Sequence, residues 1–76
     1  MLREMRVAKG VTQVDLSERL KQPQSFVSKV EAGQRKLDLR QFIIYVRALD
    51  ADPAKVFRTF VMDFDSASKG AGKSKN

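Results

Sequence analysis

The sequence predicts an all-α domain, a compact bundle of five short helices, and three observations carry that reading. Apolar residues recur at spacings of three and four, the period of one helix face. Residues that start helices (Thr12, Asp38, Asp52-Pro53) and residues that stop them (Gly10, Gly33) cut this pattern into five pieces. No stretch alternates apolar and polar residues as a half-buried strand does. Phe42–Val46 is a continuous apolar run, but its flanking caps and length favour a helix.

The first segment, Leu2–Lys9, places Leu2, Met5 and Ala8 on one side and stops at Gly10, which suits a left-handed C′ position. Thr12 caps the second helix, with Asp15 three residues on as a short capping-box partner. Leu16 and Leu20 form its buried stripe. Pro23 opens the third helix, whose first turn tolerates a missing N–H; Val27 and Val30 supply the inner face and Gly33 closes it. Asp38, helped by Gln41, caps a fourth helix with a broad apolar face of Leu39, Phe42, Ile43, Val46 and Leu49. Asp52 and Pro53 stand as N-cap and first residue of a fifth, which carries Val56, Phe57, Phe60, Val61 and Phe64. From Ser66 to Asn76 the chain reads SASKGAGKSKN, with no large apolar residue. Such a composition predicts a disordered basic tail, leaving residues 1–65 as the folded domain.

A chain of 76 residues has room for one core. It buries only about 60% of the surface its unfolded form exposes, so its stability margin is small. Cysteine and histidine are both absent, which removes disulfides, thiolate metal sites and the commonest general base. The carboxylates are scattered singly, so neither an enzyme nor a metal or cofactor site is expected. The formal charge is +6, from 15 Lys and Arg against 9 Asp and Glu. That excess attracts polyanions, whether nucleic acid, anionic membrane or an acidic partner, and charge alone does not choose among them. Phe42–Val46 is far below the roughly 20 apolar residues of a membrane span. No apolar region follows Arg3, Arg6 and Lys9, so no signal peptide is expected. The lack of cysteine fits the reducing cytoplasm.

Two short helices joined by a tight turn, Thr12–Leu20 and Pro23–Ala32, have the helix-turn-helix layout. A helix that reads a DNA major groove must present donors and acceptors outward while its inner side holds it to the domain. Here Gln24, Ser25, Ser28 and Lys29 are polar, and Val27 and Val30 are apolar. Any amphipathic surface helix shows such a split, so the surrounding motif decides.

That motif, TQVDLSERL followed by QPQSFVSKVEAGQRKL, closely resembles the Xre/Cro-type helix-turn-helix family of phage and bacterial repressors. The resemblance runs from Leu2 to Phe60. It rests on Gln13, Leu16 and Leu20, on Ser25–Lys29, on Glu31-Ala32-Gly33, and on Ala48-Leu49 before Asp52-Pro53. It implies a lambda-repressor-like fold with the helix-turn-helix at helices two and three and double-stranded DNA as partner; with room for one domain, no small-molecule ligand is expected. Lys21 departs from the glycine often found in the turn; a left-handed lysine there costs about 1 kcal/mol.

By the same resemblance Gln24, Ser25 and Lys29 correspond to base-reading positions, lysine suiting guanine O6/N7 and glutamine adenine N6/N7. Ser28 points the same way but is short, and leaves base, phosphate and water open. Gln13 resembles a phosphate-contacting glutamine at a helix N-terminus. Gln34, Arg35 and Lys36 are either backbone contacts or a solvated basic loop. Arg6 and Glu31 match positions that form a partly buried ion pair between helices one and three. Phe26 either covers the turn or lies against deoxyribose, and packing is the favoured role.

The implied function is a sequence-specific transcriptional regulator in the cytoplasm, associated with the nucleoid, most simply a repressor on a palindromic operator. The other reading is a protein-interaction module of the same fold, of antitoxin or adaptor type. Phe57, Phe60, Val61 and Phe64 exceed one narrow stripe. They either finish the monomer core or form the interface of a twofold homodimer, with the reading helices about 34 Å apart.

Overall fold

A computed structural model describes the backbone of residues 1–72 and the side chains of residues 1–66. Five helices make up its regular structure: α1 (Leu2–Ala8), α2 (Gln13–Leu20), α3 (Gln24–Glu31), α4 (Leu39–Ala48) and α5 (Pro53–Gly72). No strand occurs among the described residues.

Helix starts are set by local side-chain chemistry. Thr12 Oγ1 accepts from the Asp15 N–H at 3.0 Å while the Thr12 N–H donates to Asp15 Oδ2 at 3.1 Å. Asp38 and Gln41 repeat this reciprocal box on α4 at 2.7 and 3.0 Å. Asp52 Oδ1 accepts from the Ala54 N–H at 2.9 Å and starts α5. Pro23 differs from expectation. It is the N-cap of α3, with ψ 153°, and not a residue inside the first turn. The proline lacks a capping side chain, so α3 begins without a side-chain cap bond.

The first four helices end alike. Gly10, Lys21, Gly33 and Asp50 all have positive φ, between 56° and 77°. In each case the next residue's N–H reaches back five positions: Val11 to Arg6, Gln22 to Ser17, Gln34 to Lys29 and Ala51 to Val46. These are Schellman ends, which satisfy carbonyls the helix leaves unpaired. Basic side chains close the α4 terminus further. Lys9 Nζ donates to the Asp50 carbonyl at 2.8 Å and Arg19 Nη1 to the Ala48 carbonyl at 2.7 Å, where the helix dipole favours positive charge.

The core has two adjoining parts. Val11, Leu16, Val27, Tyr45 and Leu49 bring α2, α3 and α4 together, while Phe42, Val46 and Val56 join α4 to α5. Tyr45 is the largest fully buried side chain, and the sequence reading had no place for it. Leu39 is the reverse case. It was expected on the buried face of α4 but is 64% exposed, sitting in the first turn beside a cleft with Phe42, Pro53 and Phe57.

Val56 is the only buried residue of α5 among those whose side chains are described. The helical backbone continues to Gly72, so the expected irregular tail from Ser66 has helix over its first seven residues. Once nucleated, a helix gains one hydrogen bond per added residue; here it continues past Ser and Lys, which oppose it weakly, and past Gly70, which opposes it by about 1 kcal/mol. Residues 73–76 lie outside the described part, and the domain boundary at 65 stays an expectation from composition.

Candidate nucleic-acid interface

The polar face of α3 is held from behind by one arginine. Arg6 Nε donates to Glu31 Oε2 at 2.5 Å and Nη2 to Glu31 Oε1 at 3.2 Å, joining α1 to α3. Its remaining nitrogen, Nη1, donates to the Val11 carbonyl at 2.8 Å and ties down the α1–α2 turn. Both side chains of the pair are almost wholly buried. The hydrogen bonds to Glu31 raise the affinity of Arg6 for its proton. Burial works against the Glu31 charge, but the hydrogen bonds from Arg6 and then Gln13 outweigh it and hold the carboxyl below the ordinary range.

Gln13 links this pair to the outward face. Its Nε2 donates to Glu31 Oε1 at 3.1 Å, and its Oε1 accepts from Gln24 Nε2 at 3.2 Å and from Ser28 Oγ at 3.0 Å. Sequence reasoning placed Gln13 toward a phosphate; the structure occupies both ends of its amide internally. Gln24 and Ser28 are four apart, one turn of the same helix face, and that spacing was the available signal for a shared partner.

Gln24, Ser25 and Lys29 are solvent-exposed, and Ser28 is half-buried beside them. Gln34, Arg35 and Lys36 follow Gly33 as an exposed loop. That loop is anchored: the Arg35 guanidinium lies 5.1 Å from the Phe26 ring centroid, a cation–π arrangement. Phe26 in turn packs inward against Tyr45, with centroids 6.4 Å apart. Ser25, Lys29 and Arg35 share one cleft of about 190 Å³ with Gln22, Pro23 and Phe26. The expected α5 set lies elsewhere. Phe57, Phe60, Val61 and Phe64 are between 36 and 70% exposed, with Phe57 and Phe60 touching Phe42 at one end of the stripe. Among the described residues there is no cluster of side chains fit to hold a metal ion, and no helix long and apolar enough to cross a membrane.

Two short helices, α2 and α3, joined through a left-handed Lys21 and presenting one polar face beside a basic loop, define a helix-turn-helix domain. The chain belongs to the XRE-type helix-turn-helix family, whose helix-turn-helix model matches residues 2–56. Among solved structures it is similar to an XRE-family like protein from Pseudomonas syringae pv. tomato str. DC3000. The two are 43% identical with a TM-score of 0.73, over 76% of this chain and 71% of that one. No curated protein matches the chain.

Proposed function

We propose that this chain is a DNA-binding regulator of transcription rather than an enzyme. It acts in the cytoplasm, at the nucleoid, as a repressor that occupies a palindromic operator as a homodimer. The observation that carries the reading is the exposed polar face of α3 beside the basic loop that Arg35 anchors. On this reading Gln24 and Lys29 meet base edges, Ser25 lies beside them, and Gln34, Arg35 and Lys36 meet the phosphate backbone. With the Gln13 side chain engaged inside the protein, its contribution to anion binding falls to its own backbone N–H at the start of α2.

The exposed apolar stripe of Phe57, Phe60, Val61 and Phe64 supports pairing of two copies through α5. A single module buries only about 600–1,000 Å² on DNA, and two give the affinity that specific regulators need. The test is the affinity for mixed duplex DNA measured against salt. Binding should weaken steeply, with a log–log slope near −0.9 for each phosphate neutralised. No binding at about 50 mM salt, or binding indifferent to salt, would favour the protein-interaction module instead.

A further inference from the structure

The hydrogen bonds around Gln13 have a direction, and that direction limits what Ser28 can offer a duplex. An ionised carboxylate only accepts hydrogen bonds. Glu31, held in that form by Arg6, therefore requires the NH₂ end of Gln13 to face it; the opposite orientation would set a carbonyl oxygen against a carboxylate. The Gln13 carbonyl then faces α3, and a carbonyl oxygen accepts only. Both of its contacts there must be donated to it, by Gln24 Nε2 at 3.2 Å and by Ser28 Oγ at 3.0 Å.

A serine hydroxyl has one hydrogen. With that hydrogen on Gln13, Ser28 Oγ has only lone pairs left. Phosphate oxygens accept only, as do guanine O6 and N7, so none of them can pair with it. The major-groove groups that donate are the amino groups, N4 of cytosine and N6 of adenine. Gln24 gives up just one of its two amide hydrogens and keeps both an acceptor and a donor for adenine.

Resting on the DNA-reading proposed above, we infer that Ser28 is a specificity-determining residue. It accepts a hydrogen bond from the amino group of cytosine or adenine, and its polarity is imposed by the buried Arg6–Glu31 pair through Gln13. Gln13 and Glu31 are positioning residues in this scheme, acting on the base through α3.

Selection of sites from a pool of random duplexes by the full chain tests the inference. At one position the strand facing α3 should carry C or A over G or T by about tenfold. Ser28→Ala should level that position and leave the others unchanged. Gln13→Leu keeps the buried ion pair and releases the serine hydrogen, so it should admit G and T at the same position; a purely packing role for Gln13 would not move base frequencies there. If Ser28→Ala weakened all duplexes alike, Ser28 would be a phosphate contact and the inference would fail. In the DNA-free protein, the Gln13 side-chain amide resonances should shift in Ser28→Ala, and unmoved resonances would refute the network. Failure of the unaltered chain to bind any duplex would bring down the DNA-reading conclusion and this inference with it, while the amide resonances would still report the network separately.

Discussion

Lys29 stands exposed on α3 and, on the DNA-binding reading proposed above, meets a base edge. Lys29→Ala should weaken the preferred duplex by about 1–3 kcal/mol and relax base preference, whereas Lys36→Ala should weaken all duplexes alike. Competition binding with matched and scrambled duplexes separates the two. Tyr45 makes a different point at the same scale. Its hydroxyl is buried with no hydrogen-bond partner among the described residues, so Tyr45→Phe should leave the urea midpoint unchanged or raise it. Burial, and then the charge of Glu31, push the Tyr45 phenol up to about 12 against a smaller opposing effect of Arg6. The unfolded chain loses that proton near pH 10 while the folded one keeps it. Stability is therefore full below about pH 10 and falls by about 2–3 kcal/mol toward pH 12, a loss that Tyr45→Phe should lack. The outward polar set of α3 was legible in the sequence because one helix period sorts it from Val27 and Val30. Tyr45 was hidden inside an apolar run, and the internal role of Gln13 depends on how closely α2 and α3 pack, which spacing along the chain does not encode.

Between elements, the turn after α2 holds a lysine in the left-handed region, φ 56°. Lys21→Gly should relieve about 1 kcal/mol of that conformational cost and raise the thermal midpoint; an unchanged midpoint would mean that the surrounding turn absorbs it. The α1–α3 ion pair has a larger effect. Arg6→Met strands a buried carboxylate and should cost about 3–5 kcal/mol. The Glu31 carboxyl is depressed in the folded state, so its contribution is complete above the unfolded value of about 4.3 and is lost as pH falls through the folded one. Acid unfolding followed by circular dichroism should show this loss, and the double variant Arg6→Met/Glu31→Leu should not. Helix starts were legible because a capping box is a contact over three residues, as at Thr12–Asp15 and Asp38–Gln41. The end of α4 was not, since aspartate only tolerates the conformation that Asp50 adopts. Nor was the run of α5 to Gly72, where a helix already under way outlasts a composition that would not start one.

For the molecule as a whole, the five-helix order and the pairing of α2 with α3 followed from periodicity and punctuation. Which apolar residues face water did not, because α5 alone gives no sign of where its cover by α4 ends. That cover ends near Phe60, and Phe64 is 70% exposed. Phe64→Lys should leave the far-UV spectrum intact, convert a sedimenting dimer to monomer at micromolar concentration, and lower operator affinity. A wild-type chain already monomeric at that concentration would refute pairing through α5. Arg6 sets a different kind of limit. One guanidinium holds α1 itself, the carbonyl of Val11 and the last turn of α3. Arg6 lies in the last turn of α1, so unfolding of that whole helix would leave the Glu31 carboxylate without its counter-ion and release Gln13 from its fixed orientation. Local opening of α1 and loosening of the polar face of α3 are therefore coupled through this one side chain. The seating of α1 thereby governs how rigidly the polar face of α3 is presented.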